Sequence, residues 1–185
     1  MIKPIKFGVI GVGHLGDFHA QQLKKIHTVR LVGVFDLNSS LCKKAAKKYD
    51  VFAFNNINDI LNNCDAVSVV TPTPSHYKVA KAALQSRLHV FIEKPLAHKI
   101  IEAEEIVSLA NKNKVKLQIG HIERFNPAYR AFCKTLRKPL FIESHRLSPF
   151  NIRGSDVAVI LDLMIHDIDL VLAVVGEYPE SVEGT

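Results

Sequence analysis

The sequence predicts an α/β fold, a doubly wound parallel sheet, followed by an incomplete α+β second domain. Three observations carry this. Apolar runs alternate with amphipathic, helix-like stretches through the first two thirds of the chain, the pattern of βαβ units. The first apolar run, Phe7-Gly8-Val9-Ile10, passes straight into Gly11-Val12-Gly13-His14-Leu15-Gly16 and then a helical pattern. Asp36 ends the next apolar run, Val32-Gly33-Val34-Phe35, twenty positions after Gly16. Strand, glycines, helix and spaced acid together make the dinucleotide-binding fingerprint of a Rossmann-type domain.

Strands are expected at 5–11, 29–36, 51–54, 66–71, 89–93 and 116–120. The first, second, fourth and fifth are rich in Val, Ile and Phe, as strands buried on both faces are. Helices fit between them at 14–26, 39–49, 75–86 and 98–113. Asn38-Ser39-Ser40 offers an N-cap for the second helix, and Pro74 suits a first helical turn, where a missing N–H costs little. After Gly120 the pattern changes. A polar stretch, His121-Ile122-Glu123-Arg124-Phe125-Asn126-Pro127, leads to a helix at 127–137 and a partly alternating strand at 140–147. A loop at 148–156 contains Pro149 and Gly154, and an apolar helix at 159–175 stops at Gly176 with Pro179 beyond it. Ser181-Val182 reads as the start of another strand. The division falls into a nucleotide-binding domain, 1–122, and a partial substrate domain, 123–185. The second segment has one clear strand, too little for an independent core.

The chain is 48% hydrophobic and 23% charged, the balance of a globular protein rather than a disordered one. No apolar stretch approaches the ~20 residues that span a bilayer, and the start carries no signal-peptide pattern. Three cysteines, Cys42, Cys64 and Cys133, lie far apart in no CxxC spacing, so reduced thiols in a cytoplasmic protein are expected, with neither a disulfide frame nor a metal site. The net charge of +6 concentrates in Lys43-Lys44-Ala45-Ala46-Lys47-Lys48. Like charges four apart on a helix read as a solvated face, and no zinc-finger or helix-turn-helix signal accompanies them. Neither a nucleic-acid nor a membrane partner is expected.

Several residues are placed for chemistry. Gly11 permits the tight turn, Gly13 lets backbone approach a pyrophosphate, and Gly16 allows the helix to pack against the strand. His14 and Leu15 begin the helix whose N-terminus offers free N–H groups to phosphate. Asp36 can accept hydrogen bonds from both adenosine ribose hydroxyls and would repel a 2′-phosphate. Leu37 and Asn38 supply no arginine to hold that phosphate, so NAD is expected over NADP, although Lys43 and Lys44 follow on the next helix. Thr71-Pro72-Thr73-Pro74 comes after the fourth strand, on the side where ligands bind open α/β sheets; His76 lies just beyond and reads more simply as a helix-start residue. Glu93-Lys94-Pro95 ends the fifth strand on the same side. A strand-end lysine is usually a solvated charge; near a nicotinamide it can donate to a substrate oxygen. Asp162 and His166, four apart on an apolar helix, share a face, which suits a general base and its orienting partner or a structural pair.

Together these motifs resemble the Gfo/Idh/MocA oxidoreductases. The resemblance is carried by Gly11 to Gly16, Asp36, Thr71-Pro72-Thr73-Pro74-Ser75-His76, Glu93-Lys94-Pro95 and Asp162-x-x-x-His166, in the family's order over nearly the whole chain. It implies an NAD(P)-dependent redox reaction on a sugar, cyclitol or nucleotide sugar, with Lys94, Asp162 and His166 as the catalytic set. It also places Gly11, Gly13, His14, Leu15, Gly16, Asp36, Thr71, Pro72, His76, Glu93 and Lys94 around the cofactor. Gly120 to Pro127 and Ser144-His145-Arg146-Leu147-Ser148-Pro149-Phe150-Asn151 are similar to members that oxidise the 3-hydroxyl of UDP-N-acetylglucosamine or a related sugar. That likeness implies Arg124, Arg146 and Asn151 as substrate contacts; a salt bridge is the ordinary role for either arginine. Family members are much longer, so most of the second domain's open sheet is expected to be missing. The apolar helix is then expected to be exposed, and homo-oligomerisation to belong to a full-length form. The alternative is a nucleotide-binding module without turnover.

Overall fold

The computed structural model describes residues 3–147 and 158–184, and the chain divides into two compact units, 1–120 and 121–185. The first is built on β1 (Ile5–Ile10), β2 (Val29–Phe35), β3 (Phe52–Ala53), β4 (Ala66–Val69), β5 (His89–Ile92) and β6 (Leu117–Ile119). Their order across the sheet is β3-β2-β1-β4-β5-β6, and every neighbouring pair is parallel. The chain winds outward in both directions from β1 and β4. Between those two strands lies the switch point, where the carboxyl ends open a ligand crevice.

Five helices cover the sheet: α1 (His14–Leu23), α2 (Ser39–Tyr49), α3 (Ile57–Asn63), α4 (Thr73–Gln85) and α5 (Ile100–Asn113). Successive residues of β1 point to opposite faces, as the pleat requires. Val9 joins a core with Ala20 of α1 and Cys42, Ala45 and Ala46 of α2. Ile10 joins the other core with Ile60 of α3, Leu84 of α4 and Ile106 of α5. Both faces of the central strands are thus covered, which explains their predominantly apolar runs. Burial raises the thiols of Cys42 and Cys64, the latter to about 12, so both stay uncharged near neutral pH.

Local signals set the element ends. The Asn38 side chain accepts from the N–H groups of Ser40 and Leu41, capping α2. Two features differ from the sequence expectation. β4 stops at Val69 rather than residue 71, because Gly11 and Val70 approach closely and the chain turns there. The short helix α3 was not expected; Asn56 caps it by accepting from the Asp59 N–H, and Ile57, Ile60 and Leu61 give it an apolar face.

The second unit begins with a 3₁₀ turn, Ile122–Phe125, and α6 (Pro127–Thr135), capped by the Asn126 side chain on the Ala128 N–H. A π-helical turn, Ile160–Met164, runs into α7 (Ile165–Val175), which Gly176 ends at a φ of 75°. The strand expected at 140–147 is not formed, nor is one at 181–182; among the described residues this unit has no strand. A segment with no neighbouring ladder leaves its N–H and C=O groups without strand partners, so alternation alone does not hold it extended. Leu140 and Leu147 are almost wholly exposed. The expected loop at 148–156 lies outside the described residues. Ile160, Met164, Ile168 and Val175 leave apolar surface exposed along the apolar helix.

A Cβ on Gly16 would overlap the Gly11 carbonyl oxygen, backbone that cannot move without shifting β1. Gly16→Ala is therefore expected to destabilise the first unit by about 2 kcal/mol or more, as overpacking does. A urea unfolding curve unchanged from the parent would contradict this.

Candidate functional site

The cleft at the switch point has a volume of about 780 Å³. Gly11, Gly13, His14 and Leu15 form one wall, Asp36 to Asn38 a second, and Thr71, Pro72, Ser75 and Lys78 a third. Gly11 takes a φ of 88°, a left-handed conformation that folds β1 tightly into α1. Gly13 is the residue before α1 and has open space where a Cβ would point. No side chain caps α1, so its first N–H groups remain available to an anion, with the positive end of the helix dipole behind them.

Asp36 joins two walls. Its Oδ2 accepts from the Val12 N–H and its Oδ1 from the Asn38 N–H, each at 2.8 Å. Each carboxylate oxygen has a second lone pair for a ligand hydroxyl. Thr71 Oγ1 is buried against the cleft with no hydrogen-bond partner. A buried hydroxyl left in that state is costly. One cleft thus brings together an uncapped helix N-terminus, the open Gly13 position and a carboxylate with spare lone pairs, groups that can receive an anionic, hydroxyl-bearing ligand.

Behind the cleft lies a second polar group. His19 of α1 places Nδ1 2.7 Å from Ser68 Oγ and Nε2 2.9 Å from Glu93 Oε1. Burial raises the Glu93 carboxyl, but the hydrogen bond and charge of His19, with the Lys94 N–H and charge, outweigh it and hold the group below the usual glutamate range. Lys94 is the second residue beyond β5 and is half-buried. His76 is 1% exposed; its ring faces the Pro95 carbonyl at 2.7 Å and the Thr71 carbonyl at 2.8 Å. His76 and Glu93, expected among the cofactor contacts, are not among the residues that line this cleft; the His76 ring faces backbone carbonyls, and the Glu93 carboxylate meets His19.

In the second unit Asp162 lies in the π-helical turn and His166 at the start of α7, both half-buried. π turns inside helices recur at functional sites. The arginines expected to meet substrate are already engaged. Arg124 Nε and Nη2 donate to the two oxygens of Asp169, at 2.7 and 2.5 Å, and Arg146 forks onto Asp167 at 2.6 and 3.1 Å. The bidentate face of each guanidinium, the face that suits a diphosphate, is spent on α7. Asn151 lies outside the described residues.

Sequence reading did not single out His19, Ser68 or Lys78. Two signals were present: Ser68 interrupts the apolar run Ala66-Val67-Val69, and His19 stands one helical turn after Gly16. A polar residue in a strand buried on both faces needs a partner.

A profile described as the oxidoreductase family with an NAD-binding Rossmann fold, GFO_IDH_MocA, matches residues 5–121. UDP-N-acetylglucosamine 3-dehydrogenase of Acidithiobacillus ferrooxidans is 42% identical over 179 residues, covering 96% of this chain and 56% of that protein. Its solved structure superimposes with a TM-score of 0.90 over 98% of this chain and 60% of its own. Myo-inositol 2-dehydrogenase of Thermotoga maritima is 26% identical over 190 residues, 96% of this chain and 57% of the relative. A dehydrogenase structure from Clostridium difficile, 28% identical, gives a TM-score of 0.82 over 95% of this chain and 58% of that one. The chain thus spans a little over half the length of the curated relatives it matches.

The lowered Glu93 value sets a pH dependence. Stability from the ionised carboxylate is fully present above its unfolded value of roughly 4.3 and is lost as pH falls through the lower folded value. Glu93→Gln is expected to be less stable than the parent near neutral pH, with the difference closing below about pH 4. Urea unfolding of both proteins across that range checks it; a pH-independent gap would contradict it.

Proposed function

The chain belongs to the Gfo/Idh/MocA oxidoreductases, and from that premise we propose that it binds NAD and oxidises a secondary hydroxyl of a sugar or nucleotide sugar by hydride transfer. The observation that carries this is the convergence, in one cleft, of an uncapped α1 N-terminus, the open Gly13 position and the Asp36 carboxylate. Gly11 to Gly16 would hold the pyrophosphate, Asp36 the adenosine ribose, and Thr71 and Pro72 the flank of the nucleotide.

Bound NAD supplies the hydride acceptor for the carbinol carbon. The remaining steps fall to side chains of this chain. His166 takes the hydroxyl proton, leaving the oxygen to become the carbonyl as the C–H electron pair departs. Lys94 donates a hydrogen bond to that oxygen and stabilises its developing charge. Asp162 orients His166. The likeness to the Acidithiobacillus enzyme supports the 3-hydroxyl of UDP-N-acetylglucosamine as substrate. Since both arginine forks are engaged by aspartates, the diphosphate of such a substrate is not assigned to them. Free thiols at Cys42, Cys64 and Cys133 support a reducing compartment, the cytoplasm. The exposed apolar side chains of the last helix support homo-oligomerisation of a full-length form.

Calorimetric titration with NAD and with NADP, followed by a UDP-sugar screen for NADH formation, tests the reading. Lys94→Ala and His166→Ala are expected to abolish turnover while NAD affinity stays within a few-fold. Turnover unchanged in both variants would overturn the catalytic assignment. Asp36→Asn removes the charge that repels a 2′-phosphate, so the preference for NAD over NADP is expected to fall about tenfold. An unchanged ratio of dissociation constants would place the discrimination elsewhere.

A further inference from the structure

An imidazole holds each side of the turn that carries Lys94. On the Glu93 side the ring is His19, which belongs to α1, the helix that begins at the glycine loop. Its Nε2 meets Glu93 Oε1, and the other carboxylate oxygen accepts the Lys94 backbone N–H at 3.3 Å. Its Nδ1 is fixed by Ser68, a hydroxyl 1% exposed in the middle of β4. Gly120 backs the carboxylate, since a Cβ there would stand 3.0 Å from Glu93 Oε1. On the Pro95 side the ring is His76, buried in α4, whose two nitrogens face the Pro95 carbonyl and the carbonyl of the cleft residue Thr71, the tautomer deciding which carbonyl accepts its N–H.

Both rings therefore run from the lysine turn to an element that builds the cleft wall. Ser68 and His76 are buried and His19 and Glu93 largely shielded, so breaking one of these hydrogen bonds leaves a group with little access to water unsatisfied. We propose that His19 and His76 are positioning residues that couple the nucleotide cleft to the Lys94 turn, so that ordering one orders the other. The inference rests on NAD occupying the cleft, and it adds the route by which occupancy reaches the lysine.

Hydrogen exchange read by mass spectrometry on the 185-residue chain, with and without saturating NAD, tests it. In the parent, NAD is expected to slow exchange both at 11–16 and at 93–97. In His19→Phe and His76→Phe, which keep ring volume but lose the bonds, protection at 11–16 persists and protection at 93–97 falls several-fold. His19→Gln, which keeps an N–H for Glu93, restores it; a role in packing alone would lower the thermal midpoint and leave the NAD-dependent protection at 93–97 as in the parent. If a phenylalanine variant does not fold, Ser68→Ala, which releases only the Nδ1 side of His19, is read by the same criterion. Parental protection at 93–97 in these variants, or none there in the parent, overturns the coupling. No protection at 11–16 in the parent overturns the NAD reading itself, and the coupling with it.

Discussion

The backbone of Gly16 rests against the Gly11 carbonyl with no room for a side-chain carbon between them. That approach brings α1 down onto the carboxyl end of β1 and lets Gly11 turn back under Val70 of the neighbouring strand edge. The direction of the helix N-terminus follows from it, and so does the place of His19 one turn later. Because β1 lies between β2 and β4, an error at this contact would propagate to Asp36 on one side and to Thr71 on the other.

Most of this was legible in the residues. Parallel strands buried on both faces have no polar side to interrupt them, so β1, β2, β4 and β5 stand out as apolar runs, and the glycine spacing specifies backbone geometry directly. What escaped was set by partners distant in sequence. His19 and Ser68 are 49 positions apart, and only the sheet brings them together. Arg124 and Asp169 are separated by 45 positions, so a guanidinium that looks available in the sequence is already neutralised in the fold. The short helix α3 was readable from Asn56 and the spacing of Ile57, Ile60 and Leu61, but seven residues give little periodicity to recognise.

The two units contrast in how completely they close on themselves. The first covers both faces of its sheet, and among its described residues Thr71 Oγ1 is the buried side-chain polar atom left without a partner. The second holds together through α6, α7 and two arginine–aspartate pairs while leaving Phe141, Leu147 and Tyr178 in solvent. Large apolar surface of that kind is what a neighbouring layer of protein would bury. The relatives, whose chains extend well beyond the matched region, have material for such a layer.

Asp36 has a consequence for how a ligand is accommodated. Its carboxylate staples the glycine loop to the turn after β2 through the N–H groups of Val12 and Asn38 before any nucleotide is present. Part of the conformational entropy of those loops is therefore lost during folding, which leaves less to be lost on association. A ligand arriving at this face meets a loop and a turn already tied to each other, so less ordering is left to accompany its association.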